Sequence, residues 1–243
     1  MTAFVQGLIF SFLILSVPLY AANLVVFMAF QGLYERNGIR NAAITGAVVV
    51  LAIGLWSFRN YTAFGQFEFS SNSGLNLLLG NSPLTGPNSG TNVNIQSIAP
   101  EAANLPELQR DAVRKAHALE WIKGHPMRFG SLFVEKFVNW FNYRNQLSTA
   151  GESSRLRDLL MALTYYPLLA MALLLPFLLR GHLSQLESYL YLSYGSAALA
   201  YAFFFTRIRF RVPFDFLLII LASAAVSILL RSWRARTARN LTA

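Results

Sequence analysis

The chain of 243 residues has no cysteine, and only 13% of its residues are charged. Without cysteine it has no disulfide, no thiolate metal site and no lipidated thiol. The shortage of charge excludes more. A soluble domain carries about 25% charged residues, and at half that density the chain lacks the polar surface to stay in water. Acids are the scarcer sign: 11 Asp and Glu stand against 20 Lys and Arg, a net charge of +9. No basic residue precedes the first apolar run, because the first charged side chain is Glu35. The N-terminus therefore lacks the positive lead of a secretory signal peptide, and the run from Ala3 to Phe30 is too long to be one.

Apolar residues fill the place of charge, at 55%. They are gathered in charge-poor runs that approach the ~20 residues needed to cross a bilayer. Ala3–Phe30 reads as a first span kinked at Pro18, and Asn41–Phe58 as a second. Leu159–Leu179, Ser188–Phe205 and Pro213–Leu230 complete five. Between the second and third lies Arg59–Asp158, a polar stretch rich in Gly, Pro, Asn and Ser from Ser70 to Pro106. The expected fold is an all-α membrane protein of about five transmembrane helices with one large extracytoplasmic loop containing amphipathic helices. The domains are 1–58, the loop 59–158, and 159–243 with a basic tail.

The short loops orient it. One side collects Arg36, Arg40, Arg180, Arg231, Arg234, Arg236 and Arg239, seven in all, and the other only Arg207, Arg209 and Arg211. Basic residues in short loops favour the cytoplasm, so the C-terminus is expected inside and the large loop outside. The basic residues border apolar runs, which points to membrane lipids and lipid-linked phosphates and not to nucleic acid.

Two helices are expected in the loop. Pro106–Ile122 follows a cap at Asn104, with Pro106 and Glu107 suited to a first turn. Its Leu108, Ala112, Ala116 and Leu119 share a face away from Arg110, Arg114 and His117. After Gly124-His125-Pro126 a second helix runs to about Asn142. Met127, Phe129, Phe133, Val134, Phe137, Trp140 and Phe141 occupy one half of its wheel, and Lys136 sits at the boundary, placed to snorkel. A helix lying in the membrane interface has this pattern; a buried amphipathic helix is the plainer alternative.

Three features are candidates for function. Arg207, Arg209 and Arg211 alternate just before Pro213, so an extended segment would send all three to one side. Arginine forks suit phosphate, and headgroup anchoring is the plain alternative. Asp215 is the single acid in an expected span and a site candidate by default, or else an ion-pair partner for Arg211 or Arg59. The run from Ser70 through Asn72, Gly74 and Asn76, with Gly80-Asn81-Ser82-Pro83, offers small residues and amides to a sugar or pyrophosphate, or is a turn-rich loop. His117, His125 and His182 show no metal-ligand spacing, and no phosphate-binding glycine loop or nucleophile elbow occurs.

Trp56-Ser57-Phe58-Arg59-Asn60-Tyr61, Phe64-Gly65, Ser71–Asn76 and Gly80–Pro83 together resemble the start of the large outer loop in bacterial GT-C class membrane glycosyltransferases. These are relatives of the protein O-mannosyltransferases and the lipid A aminoarabinose transferases. Ala118–Trp140 resembles their next loop helices, and Arg207-Ile208-Arg209-Phe210-Arg211-Val212-Pro213 their arginine-rich entry to a late span. The resemblance covers about Trp56 to Leu230. It implies transfer of a sugar from a polyprenyl-phosphate carrier at the outer face of the bacterial inner membrane. Lipid phosphate would sit at Arg207, Arg209, Arg211 and Arg59, and the sugar or pyrophosphate near Asn72, Gly74, Asn76 and Asn81. No cofactor is implied, and metal dependence varies by subgroup. The essential acid of such enzymes lies in a first outer loop that has no counterpart here. The expectation is therefore an incomplete member without a catalytic residue of its own, partnered by an upstream-encoded N-terminal half. The rival reading is a non-catalytic membrane protein, part of a transporter or flippase or an accessory subunit.

Overall fold

The computed structural model describes residues 2–90, 92–144 and 154–242, with side chains as far as Thr237. Every regular element among them is helical. The helices are α1 (Ala3–Ser16), α2 (Tyr20–Tyr34), α3 (Gly38–Phe64), α4 (Ser73–Gly80), α5 (Glu107–Gly124), α6 (Pro126–Trp140), α7 (Arg155–Leu178), α8 (Gln185–Phe203), the single turn α9 (Ile208–Arg211) and α10 (Asp215–Thr242). Among the described residues three stretches, α3, α7 and Ile208–Thr237, are long and apolar enough to cross a membrane. The 27 residues of α3 rise about 40 Å, against a hydrocarbon core of about 30 Å. At 19 residues α8 is long enough, but Ser188, Tyr189, Tyr191, Ser193 and Tyr194 dilute it, and it is not among the three.

The first expected span is not one kinked helix. Pro18 removes an amide from the ladder and drives Val17 out of the α region; Val17 stands at φ −141°, ψ 99°. The chain then turns back. Phe10 meets Phe27 with ring centroids 5.0 Å apart, and Gln31 Nε2 donates to Gln6 Oε1 at 2.8 Å. Residues seventeen and twenty-five positions apart touch in this way only if α1 and α2 lie antiparallel. Each is about 21–23 Å long at 1.5 Å per residue, shorter than the bilayer core. α3 packs on both: Ile14, Leu24 and Val49 form a core with Phe10, Tyr20, Met28 and Ile53, and Thr45 Oγ1 donates to the Ala3 carbonyl.

The described chain divides into two compact units. Met1–Trp140 with Ser196–Arg207 forms the first, and Phe141–Gly195 with Ile208–Ala243 the second. The first holds the α1–α3 bundle and a loop body. Helix α3 runs past the expected span end at Phe58 to Phe64, because nothing breaks it before Gly65, which caps it in the left-handed region at φ 74°. In the loop body Leu77, Leu78, Ala99, Ala102 and Ala118 form the core, with Ile95, Ile98, Val113 and Ile122 packed against it.

Two close backbone approaches organise that body. A Cβ on Gly74 would stand 2.0 Å from the Asp111 carbonyl oxygen, and one on Gly80 1.7 Å from that of Phe204. Only glycine lets α4 meet α5 at one end and the chain after α8 at the other. The Asp111 carboxylate then caps α4, accepting from the amides of Gly74 and Leu75, both at 2.8 Å, and from the Ser73 hydroxyl. An anion at a helix N-terminus is favoured by the orphan amides and the dipole. This contact sets the inward face of α5, which carries Asp111, Val113, Ala118 and Ile122. The expected apolar face differs: Ala112, Ala116 and Leu119 are exposed.

Lys136 does not snorkel. It is fully buried, and its Nζ donates to the Gly80 carbonyl (3.0 Å), Asn81 Oδ1 (3.1 Å) and the Phe204 carbonyl (2.9 Å). Leu132, Lys136 and Trp140, one turn apart, face inward, and Trp140 stacks on Tyr201. Of the aromatic half-wheel of α6 only Trp140 is buried, while Phe129, Phe133 and Phe137 are half-buried. Met127, Val134 and Val138 remain exposed.

In the second unit α7 and α10 pack along their lengths. Arg211 is buried against Asp215, with Nε 3.2 Å from Oδ1. Its Nη1 donates to the Asn142 carbonyl, and its guanidinium lies 3.4 Å from the Tyr165 ring centroid. Tyr194 donates to Asp215 Oδ1 at 3.3 Å and meets the Tyr165 hydroxyl at 3.2 Å.

Candidate functional site

The last turns of α3 bring polar side chains to the loop end of a long apolar helix. Asn60 is buried there and donates to the Glu68 carbonyl at 2.8 Å, while Trp56 Nε1 donates to the Phe69 carbonyl at 3.2 Å. These two bonds fold residues 65–71 back onto the helix. Together with the tip of the α1–α2 hairpin the folded strap encloses a cleft of about 350 Å³. Its walls are Leu15, Ser16 and Pro18 from the hairpin, Trp56, Arg59, Asn60 and Phe64 from α3, Gln66, Glu68, Phe69, Ser70 and Ser71 from the strap, and Leu108.

Arg59 is the cation in the cleft. It is exposed, one of its amino groups donates to Asn60 Oδ1 at 3.0 Å, and its guanidinium lies 5.6 Å from the Trp56 ring centroid and 5.8 Å from that of Phe64. Two rings near the fork favour its charge while leaving N–H groups for an anion. Around this end of α3, Trp56, Phe58, Tyr61, Phe64 and Phe67 are all exposed, and Tyr61 stacks on Phe67 with centroids 4.4 Å apart. Aromatic rings gathered at a span end mark the level of the lipid headgroups.

The other expected site residues are dispersed. The segment Ile208–Arg211 is a helical turn and not an extended strand, so the three arginines do not share a side. Arg207 Nη2 donates to Asn92 Oδ1 at 3.1 Å, Arg209 lies exposed over its neighbour Phe210, and Arg211 is buried in its pair with Asp215. That pair is the plain alternative foreseen for Asp215. Among the described residues of the polar loop, only Ser70 and Ser71 reach the cleft. Asn72 is exposed outside it and Asn76 is half-buried on α4. Gly74 is taken up by the contact with Asp111, and Asn81 is buried, its amide donating to the Leu77 and Phe203 carbonyls while its oxygen accepts from Lys136.

Several chemically active groups carry no sequence signal. Lys136 falls at a wheel boundary, and only the three carbonyl-type acceptors that converge on it reveal its role. Burial pushes its ammonium down to about 7. Glu101 meets His117 at 2.5 Å across sixteen residues, and this hydrogen bond holds the carboxyl below its usual range. Glu68 enters the Arg59 cleft by the folding of the strap. Among the described residues no group of three or more His, Cys, Asp or Glu side chains is placed to hold a metal ion. Comparison with protein-family models, curated proteins and solved structures finds no match for the chain.

Proposed function

We propose that the chain is a membrane glycosyltransferase-type module that handles a polyprenyl-phosphate-linked sugar at the extracytoplasmic face, with the lipid phosphate at Arg59. The observation that carries this reading is the exposed Arg59 fork, within 6 Å of two aromatic ring centroids in a cleft at the aromatic-ringed end of a candidate span. A lipid-borne phosphate reaches such a point while its polyprenyl tail stays among the exposed apolar residues of α3. Glu68 adds a negative charge to the cleft, so the phosphate belongs on the Arg59 side. The carboxylate of Glu68 and the hydroxyls of Ser70 and Ser71 suit the hydroxyls of the attached sugar. The resemblance of Trp56–Asn76 to the outer loop of GT-C enzymes supports the same chemistry.

In this reading α3, α7, α8 and α10 cross the membrane, and the α1–α2 hairpin enters it and returns to the cytoplasmic side without crossing. Seven arginines against three keep Arg36, Arg40, Arg180 and the tail in the cytoplasm.

The test is binding of a short-chain polyprenyl phosphate to the purified chain in detergent. A charge-assisted contact contributes about 1.5–3 kcal/mol, so Arg59→Gln should weaken binding roughly ten- to hundredfold. Arg59→Lys keeps the charge without the fork and should fall between. Equal affinity for Arg59→Gln and the parent overturns the assignment.

A further inference from the structure

A second cleft lies at the far end of α5, whose other end contributes Leu108 to the first. It measures about 630 Å³ and is lined by Pro83, Leu84, Ser97, Ile98, His117, Glu120, Trp121, Gly124 and His125. That is within the usual size of small-ligand sites, about 300–1,000 Å³.

The hydrogen bonds assign both imidazoles. His125 Nδ1 lies 3.1 Å from the Trp121 carbonyl oxygen, which only accepts, so Nδ1 carries the proton. His117 Nε2 lies against the Glu101 carboxylate, so there the proton is on Nε2. In the neutral rings this leaves His117 Nδ1 and His125 Nε2 as acceptors. Glu120, in the same lining, adds two carboxylate oxygens, and Ser97 adds a hydroxyl. Pro83, Leu84, Ile98 and the Trp121 indole, which stacks on His125 at 5.6 Å, supply an apolar wall.

We propose that this cleft binds a polyhydroxylated, sugar-like ligand, with Glu120, His117 and His125 accepting from its hydroxyls and the Trp121–Ile98 wall covering its C–H face. The lining is rich in acceptors and poor in fixed donors, and hydroxyl groups bring the donors it lacks. Glu101 and Glu120 disfavour an anion. The inference is independent of the Arg59 cleft: different residues carry it and a different ligand tests it.

The experiment uses the full chain in a zwitterionic detergent, because maltoside detergents carry the very groups under test. Methyl glycosides of glucose, mannose and galactose are titrated while the ring signals of His117 and His125 are followed by NMR. A saturable shift of both rings with at least one glycoside is expected. Glu120→Gln, on an exposed side chain that leaves folding intact, should raise its dissociation constant about tenfold. His117→Gln should also weaken it, read on His125. The proposal is overturned if no glycoside gives a saturable shift, if both variants titrate like the parent, or if ethanolamine shifts the rings while the glycosides do not.

Discussion

Lys136 offers the sharpest test of the loop body. Its ammonium has no carboxylate among its three contacts, which are two backbone carbonyls and an amide oxygen. Burial lowers it from 10.5 to about 7. At about 1.36 kcal/mol per tenfold, that is a cost of about 5 kcal/mol to hold the charged form in the folded loop below pH 7. The sign follows from proton linkage. Between pH 7 and 10.5 the unfolded loop binds the proton and the folded loop does not, so stability rises with pH across that window. Below pH 7 both states are protonated and the dependence vanishes. Lys136→Met removes the titrating group and leaves three buried acceptors unpaired, at about 1–3 kcal/mol each. Because the charging cost falls on the parent alone, the gap between variant and parent should be smallest below pH 7 and should widen from pH 7 to pH 9. Hydrogen exchange of the amides of Leu77–Gly80, corrected for intrinsic rates, reads this directly: parent protection should grow up to about tenfold per pH unit above 7, and variant protection should stay flat. A constant gap between pH 6 and 9 refutes the reasoning. It would mean that three matched acceptors keep the ammonium charged in spite of its burial.

The Arg211–Asp215 pair predicts an asymmetry. Asp215→Asn strands a buried guanidinium and should destabilise the second unit by about 3–5 kcal/mol in thermal unfolding, while the double change Arg211→Met, Asp215→Leu should cost much less. Gly80→Ala should destabilise the loop body by several kcal/mol, since its new methyl meets the Phe204 carbonyl, whereas Gly54→Ala, with open space around it, should be neutral or mildly stabilising. The hairpin predicts a labelling pattern for cysteines at three exposed positions. Thr2→Cys and Thr237→Cys should be protected from an impermeant thiol reagent on intact cells while Gln96→Cys reacts. A single kinked first span would instead make Thr2→Cys react with Gln96→Cys.

The long apolar helices were legible in the sequence because length and hydropathy alone decide them. Pro18 was legible as a kink but not as a reversal: whether a proline kinks a helix or turns it back depends on what the second half packs against, here Phe10, Gln6 and α3. The glycines of the polar loop were visible, yet their use was not. Gly74 and Gly80 serve close backbone approach, and the partners, Asp111 and Phe204, lie 37 and 124 residues away. The arginine row failed for a local reason. Alternation shares a side only in extended backbone, and the turn at Ile208–Arg211 scatters it. Arg59 was named in the sequence as one of four arginines, and the fold singles it out because its helix end, the folded strap and the hairpin tip form the cleft it lines.

The central claim is that lipid phosphate sits beside Arg59. A polyprenyl-phosphate analogue with a photoreactive diazirine next to the phosphate, activated on the purified protein, tests it most directly. Mapped cross-links should fall within Trp56–Ser71 and should be lost in Arg59→Gln. Cross-links concentrated at Arg207–Arg211, and unchanged in Arg59→Gln, would contradict the account.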